Sequence, residues 1–127
     1  MEKAHLHQIH PVLPVQNLLA ALFFYVHKLG FEIAFADDPK VPTYAGLRRG
    51  DIEIHLNFQN TGKPLKTAVK PNLRIVTQNI ESLYIEFEAK EILKGQIQIV
   101  NTDWGTKEFT IYDLDKNALT FYSNLYV

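Results

Sequence analysis

The chain has 127 residues, 46% of them hydrophobic and 12% aromatic, enough for one compact domain and too few for two of ordinary size. It contains no cysteine, which excludes disulfide scaffolds, thiolate metal sites and thiol nucleophiles and gives no sign of an oxidising compartment. Thirteen Lys and Arg against fourteen Asp and Glu leave a net charge of −1, without the basic surplus on which nucleic-acid binding relies.

The first residues lack the basic region and apolar run of a signal peptide, and the longest apolar run, Leu18 to Val26, is far short of a membrane span. The expectation is a soluble, cytoplasmic protein with neither nucleic-acid nor membrane partners. Leu6 to Val15 reads as an extended edge segment, because Pro11 and Pro14 exclude a helix. Asn17 predicts an N-cap, the stretch Leu18 to Leu29 a helix without Gly or Pro, and Gly30 a left-handed C-cap. That helix carries two apolar stripes, Leu18/Leu22/Tyr25 and Leu19/Phe23/Val26, so it is expected to touch two surfaces.

Strands are predicted at Phe31 to Ala36, Tyr44 to Arg49 and Ile52 to Phe58. In the last of these, Ile52, Ile54, Leu56 and Phe58 alternate with Glu53, His55 and Asn57, the pattern of a half-buried strand. Gln59 to Pro71 lacks periodicity and reads as a linker. The order then recurs: strand Asn72 to Gln78, an amphipathic helix from Asn79 to about Lys90, and strands near Gln96 to Val100, Lys107 to Tyr112 and Ala118 to Tyr122. Gln16-Asn17-Leu18 and Gln78-Asn79-Ile80 stand 62 positions apart, each closing a strand and opening a helix. The predicted fold class is α+β, with tandem βαβββ modules at about 6–60 and 70–126 building one domain over 1–127.

A tandem βαβββ repeat in so short a chain resembles the vicinal oxygen chelate superfamily, which includes glyoxalase I, extradiol dioxygenases, and fosfomycin- and bleomycin-resistance proteins. The wording is similar to the bleomycin-resistance branch over nearly the whole chain. It runs through His10-Pro11-Val12-Leu13-Pro14-Val15-Gln16-Asn17, Phe24-Tyr25 with Leu29-Gly30-Phe31, the stretch from Tyr44 to Leu56, and Trp104 to Phe109 with Asp113 to Asn117. The resemblance implies curled mixed sheets, with the helices on the convex side and a ligand in the concave cup. Parity then puts His10, Glu53 and His55 on the cup side. Metal-using members hold an ion at four places, which in this chain carry His10, Glu53, Asn72 and Thr120. An amide and a hydroxyl are weak replacements for imidazole or carboxylate ligands, so no cofactor is expected. His10 and Glu53 remain as half a metal site, with His55 able to substitute for Glu53.

No Gly-rich phosphate loop, Gly-x-Ser-x-Gly elbow or His-Glu-x-x-His helix occurs. No residue is assigned a catalytic role, and a Glu53/Glu108 acid–base pair is outweighed by the ordinary place of carboxylates on a solvated surface. What remains is a binding cup. Trp104, Tyr44, Tyr112 and Tyr122 supply flat amphipathic walls, while Glu53, Glu108 and the Asp37-Asp38 pair are expected to make it negative and suited to a cationic or aromatic guest. The expected protein is a metal-independent, homodimeric small-molecule binder of the bleomycin-resistance type, with its groove at the dimer interface. The alternative is a metal-dependent lyase, transferase or dioxygenase of the same superfamily.

Overall fold

The computed structural model describes residues 2–59 and 70–125; most of the predicted linker, residues 60–69, lies outside them. The first module runs β1 (Val12–Val15), α1 (Leu18–Phe23), β2 (Glu32–Ala36), β3 (Tyr44–Arg49) and β4 (Ile52–Phe58). The second runs β5 (Asn72–Val76), α2 (Ile80–Ala89), β6 (Val100–Asn101), β7 (Thr106–Tyr112) and β8 (Ala118–Asn124). Each module makes one four-stranded mixed sheet, in the orders β1-β4-β3-β2 and β5-β8-β7-β6. The β1/β4 and β5/β8 pairs are parallel and the others antiparallel. The βαβββ repeat expected from the sequence is therefore the architecture. No helix among the described residues is long and apolar enough to cross a membrane.

Local chemistry explains the elements. Asn17 Oδ1 accepts the Ala20 N–H at 3.0 Å and opens α1. The helix then widens into a π-helical turn, Phe24–Lys28, closed by the Leu29 N–H on the Phe24 carbonyl at 3.2 Å. Gly30 leaves it at φ +76°, and a Cβ there would stand 2.8 Å from Arg49 Nη1, so glycine is required twice over. The residue repeat does not carry its capping role with it. Asn79, the counterpart of Asn17, sits at φ 55° and its side chain makes no cap bond. The strand expected near Gln96 to Val100 shrinks to Val100–Asn101, because left-handed Lys94 and Gly95 turn the chain before it. Ile97 and Ile99 still pack against the core as irregular chain, and the Tyr84 hydroxyl donates to the Ile97 carbonyl at 2.5 Å.

The core lies between each sheet and its helix. In the first module it is aliphatic, with Leu13, Val15, Leu47, Ile54 and Leu56 buried against Leu18, Leu22 and Tyr25. In the second it is aromatic, Phe87, Phe109 and Phe121 meeting at ring separations of 5.5 to 6.1 Å. Of the second α1 stripe, Val26 packs against the core, while Leu19 and Phe23 are exposed among the described residues.

Buried polar contacts join the modules. The Tyr25 hydroxyl donates to Asp113 Oδ2 at 2.7 Å, and Asn117 Nδ2 donates to the Pro14 carbonyl at 3.1 Å. On the other flank Arg49 grips Glu86 through two bonds of 2.6 and 2.8 Å and donates to the Leu29 carbonyl at 2.7 Å. Burial and the adjacent Asp113 carboxylate push the Tyr25 phenol far above its ordinary range, so it stays a donor. Tyr25→Phe is expected to lower unfolding free energy by about 1–3 kcal/mol, the effect of stripping one partner from a buried carboxylate. Urea denaturation measures it, and an unchanged midpoint would show that the hydroxyl is dispensable.

Candidate functional site

On the first module's concave face, the alternation of β4 buries Ile54 and Leu56 and turns Glu53 and His55 the other way. Across the strand pair, Glu53 lies opposite Arg48 and His55 opposite Gly46. The Arg48 Nε–H donates to Glu53 Oε1 at 2.7 Å. Glu53 Oε2 meets His55 Nε2 at 2.7 Å and lies 3.6 Å from His10 Nε2. The far nitrogen of His55, Nδ1, bonds the Tyr44 hydroxyl at 2.8 Å. A continuous chain, Tyr44–His55–Glu53–Arg48, therefore crosses the face. Hydrogen bonding from His55, then from Arg48, holds the Glu53 carboxyl below its ordinary value. Phe35 closes the far side, its ring edge-on to His55 at 5.2 Å. It lies over Gly46, where a Cβ would fall 2.2 Å from the ring.

The second module's face has different chemistry. The Thr120 hydroxyl, buried, donates to Asn72 Oδ1 at 3.0 Å and shares a 2.8 Å bond with Thr110. Beside this neutral network, Arg74 Nη2 donates to Glu108 Oε2 at 3.0 Å, and the Thr106 hydroxyl donates to the same oxygen at 2.8 Å. The Arg74 guanidinium lies over the Tyr122 ring at 4.4 Å. The hydrogen bond from Arg74 holds the Glu108 carboxyl down.

A cavity of about 760 Å³ opens where the modules meet, lined by residues 8–11 and 50–54, by Arg48, and by β5. Its size suits a small organic ligand. Of the residues singled out in the sequence, His10 and Glu53 line it directly. His55, Tyr44, Glu108 and Tyr122 connect to it through Glu53 and Arg74. Tyr112, at the end of β7, and Trp104, 69% exposed on the turn before β7, do not line it. Trp104, expected as a wall of the cup, stands instead on an exposed turn away from this cavity.

The expected negative cup is corrected by the ion pairs: Glu53 and Glu108 are each held by an arginine. Asp37 and Asp38 are structural. Asp37 accepts the N–H groups of Thr43 and Tyr44 at 2.8 and 3.2 Å as well as the Thr43 hydroxyl, and these bonds, the hydroxyl's foremost, hold its carboxyl at about 2. Asp38 accepts the N–H groups of Lys40 and Val41. Arg48 and Arg74 line the cavity and were not singled out in the sequence. The available signal was parity, since Arg48 is two residues from Gly46 on the cup side of β3, and Arg74 two residues from Asn72 on β5.

The four places that the resemblance implies for a metal do not make a four-ligand set in this chain. Asn72 and Thr120 are bonded to each other, and the Arg48 cation occupies one oxygen of Glu53. A smaller group does exist: His10, Glu53 and His55 offer ligand atoms that all lie within 4.8 Å of one another.

Comparison with known proteins agrees with this architecture. The model of the Glyoxalase/Bleomycin resistance protein/Dioxygenase superfamily matches residues 7–121. The chain belongs to this superfamily. A bleomycin resistance protein of Geobacillus stearothermophilus is 24% identical over 129 residues, covering 91% of this chain and 95% of that protein. The crystal structure of the bleomycin-binding protein from Streptomyces verticillus, complexed with copper(II)-bleomycin, superposes with a TM-score of 0.76 at 23% identity, covering 96% of this chain and 99% of that one. A bleomycin resistance determinant encoded on the transposon Tn5 gives 0.78 at 22%, covering 94% and 98%. At these identities the solved structures establish the fold. The superfamily's variety of activities leaves function to the site residues.

Because Trp104 is exposed and off the cavity wall, Trp104→Ala is expected to leave cavity binding unchanged and to shift stability by no more than about 0.5 kcal/mol. Quenching of the single tryptophan by a saturating ligand, with loss of affinity in the variant, would place the guest at the hairpin instead.

Proposed function

We propose that the protein is a metal-independent small-molecule binder, which sequesters its ligand in the cavity between the modules without chemical change. The observation that supports this most directly is that the carboxylates on and beside the cavity wall are already paired. Glu53 carries bonds to Arg48 and His55, and Glu108 to Arg74 and Thr106. Carboxylates already satisfied in this way favour binding over catalysis. Membership of a superfamily that includes bleomycin resistance proteins supports a resistance role, and bleomycin, which the names of the relatives carry, is the first compound to test. An aromatic guest suits the apolar lining of Ile52, Ile75 and Val76. The cysteine-free composition is in keeping with a cytoplasmic setting.

The reading includes a homodimer whose interface uses the exposed part of the second α1 stripe. Leu19 and Phe23 are exposed there, with His27 packed on Phe23 at 4.4 Å, and a two-fold contact would bury the same patch of both copies. Sedimentation equilibrium is expected to give a dimer that Phe23→Asp dissociates; a monomer at high micromolar concentration would remove this part.

The second reading, a metal-dependent lyase, transferase or dioxygenase, is favoured by the His10/Glu53/His55 group, a two-imidazole, one-carboxylate set. Arg48 beside Glu53 and the neutral Asn72/Thr120 pair weigh against it. Thermal unfolding with and without ligand separates the two. A ligand at a hundredfold excess over its Kd should stabilise the fold by about 2.7 kcal/mol, with EDTA changing neither the Tm nor the shift. Loss of Tm on chelation, restored by one divalent ion and absent in His55→Ala, would establish the second.

A further inference from the structure

The two ion pairs bordering the cavity share one construction. In each, the carboxylate is the inner member and the guanidinium the outer: the Glu53 side chain is 11% exposed against 65% for Arg48, and Glu108 16% against 42% for Arg74. Arg48 reaches its partner through Nε and Arg74 through Nη2. A guanidinium carries five N–H donors in a rigid planar fork, so each arginine keeps donors for another acceptor. The Arg74 guanidinium also lies over the Tyr122 ring, 4.4 Å from its centre. The carboxylates keep less. Glu53 has both oxygens engaged, and one Glu108 oxygen takes two donors. Asp51, on the exposed turn between β3 and β4, is the remaining carboxylate of the lining.

Two outward guanidiniums, one from each module, line the same cavity with Ile52, Ile75 and Val76. We propose that Arg48 and Arg74 are the recognition pair for an anionic head group, a carboxylate or phosphate, on a guest whose apolar part rests on those three side chains. This rests on the cavity-binding reading above and reverses the ligand charge expected from the sequence. The physical reason is that a paired carboxylate presents its partner, not itself, to an arriving ligand. Two oxygens of a carboxylate or phosphate can accept two parallel N–H bonds from the fork, whereas an ammonium has no acceptor to offer.

The test compares four probes sharing one ring: phenyl phosphate, benzoate, benzyl alcohol and benzylamine. Binding is followed by the arginine Nε–H signals of the ¹⁵N-labelled full chain. The anionic probes should bind about tenfold or more tighter than the other two, in keeping with charge-assisted hydrogen bonds, shift both arginine signals, and weaken with added NaCl. Arg48→Gln and Arg74→Gln should each weaken phenyl phosphate about tenfold. Glu108→Gln, which breaks the same ion pair but leaves Arg74 free, should hold or tighten it. Equal weakening by Arg74→Gln and Glu108→Gln would mean a disrupted fold rather than recognition and would overturn the proposal. Benzylamine binding tightest, or bleomycin binding while both anionic probes fail, would overturn it and leave the cavity reading standing. Failure of all four probes and of bleomycin would remove both.

Discussion

A buried carboxylate at the junction of the two modules sets the geometry on which everything else depends. Asp113 lies in the turn between β7 and β8, withdrawn from solvent. It accepts the Tyr25 hydroxyl from the first module's helical segment, the Asn117 amide side chain, and the backbone N–H groups of Asp115 and Asn117, all at 2.7 to 2.9 Å. Three of these donors come from its own module and Tyr25 alone from the other, so burying Asp113 favours the docking that brings the Tyr25 hydroxyl to it. Asn117 extends the link to the Pro14 carbonyl, and Asp115 takes the Gln16 N–H at 2.9 Å. Burial raises the Asp115 carboxyl above its ordinary value. Together with Arg49 and Glu86 on the opposite flank, these contacts hold β4 and β5 at the separation that leaves a cavity between them.

Within that frame the two concave faces have diverged. The repeat places Arg74 62 residues after Val12, and the strand pairs then set Thr120 against Arg74 as His55 is set against Val12. Thr120 is thus the structural counterpart of His55. One face has two imidazoles, His10 and His55, where the other has an amide and a hydroxyl, Asn72 and Thr120, on backbones of the same topology. The superfamily tolerates this because strand alternation separates the core-facing residues, which hold the sheet to its helix, from the cup-facing ones, which are free to vary.

Both faces nevertheless converge on an inner carboxylate beneath an outer arginine. A charge pattern read along the chain counts these residues as equal and opposite. In the folded protein they are not equivalent, because burial decides which member of a pair a ligand meets. That asymmetry is visible in side-chain exposure and not in net charge.

Much of the architecture could be read before folding. Asn17 and Gly30 bounded the first helix through capping geometry, Ile54 and Leu56 declared the buried face of β4 by alternation, and the recurrence of Gln-Asn-apolar 62 residues on announced a second module. These are local signals, set by backbone dihedrals and side-chain period, and they survive transfer from sequence to structure. The site was legible in part: His10, Glu53 and His55 do meet, since parity and register alone bring them to one face. Arg48 and Arg74, the displacement of Trp104 from the cavity wall, and the conversion of Asp37 and Asp38 into loop braces were decided only by tertiary structure. Each depends on which groups approach across sheets and turns, on distances that no period encodes, and on the relative burial of two members of a pair.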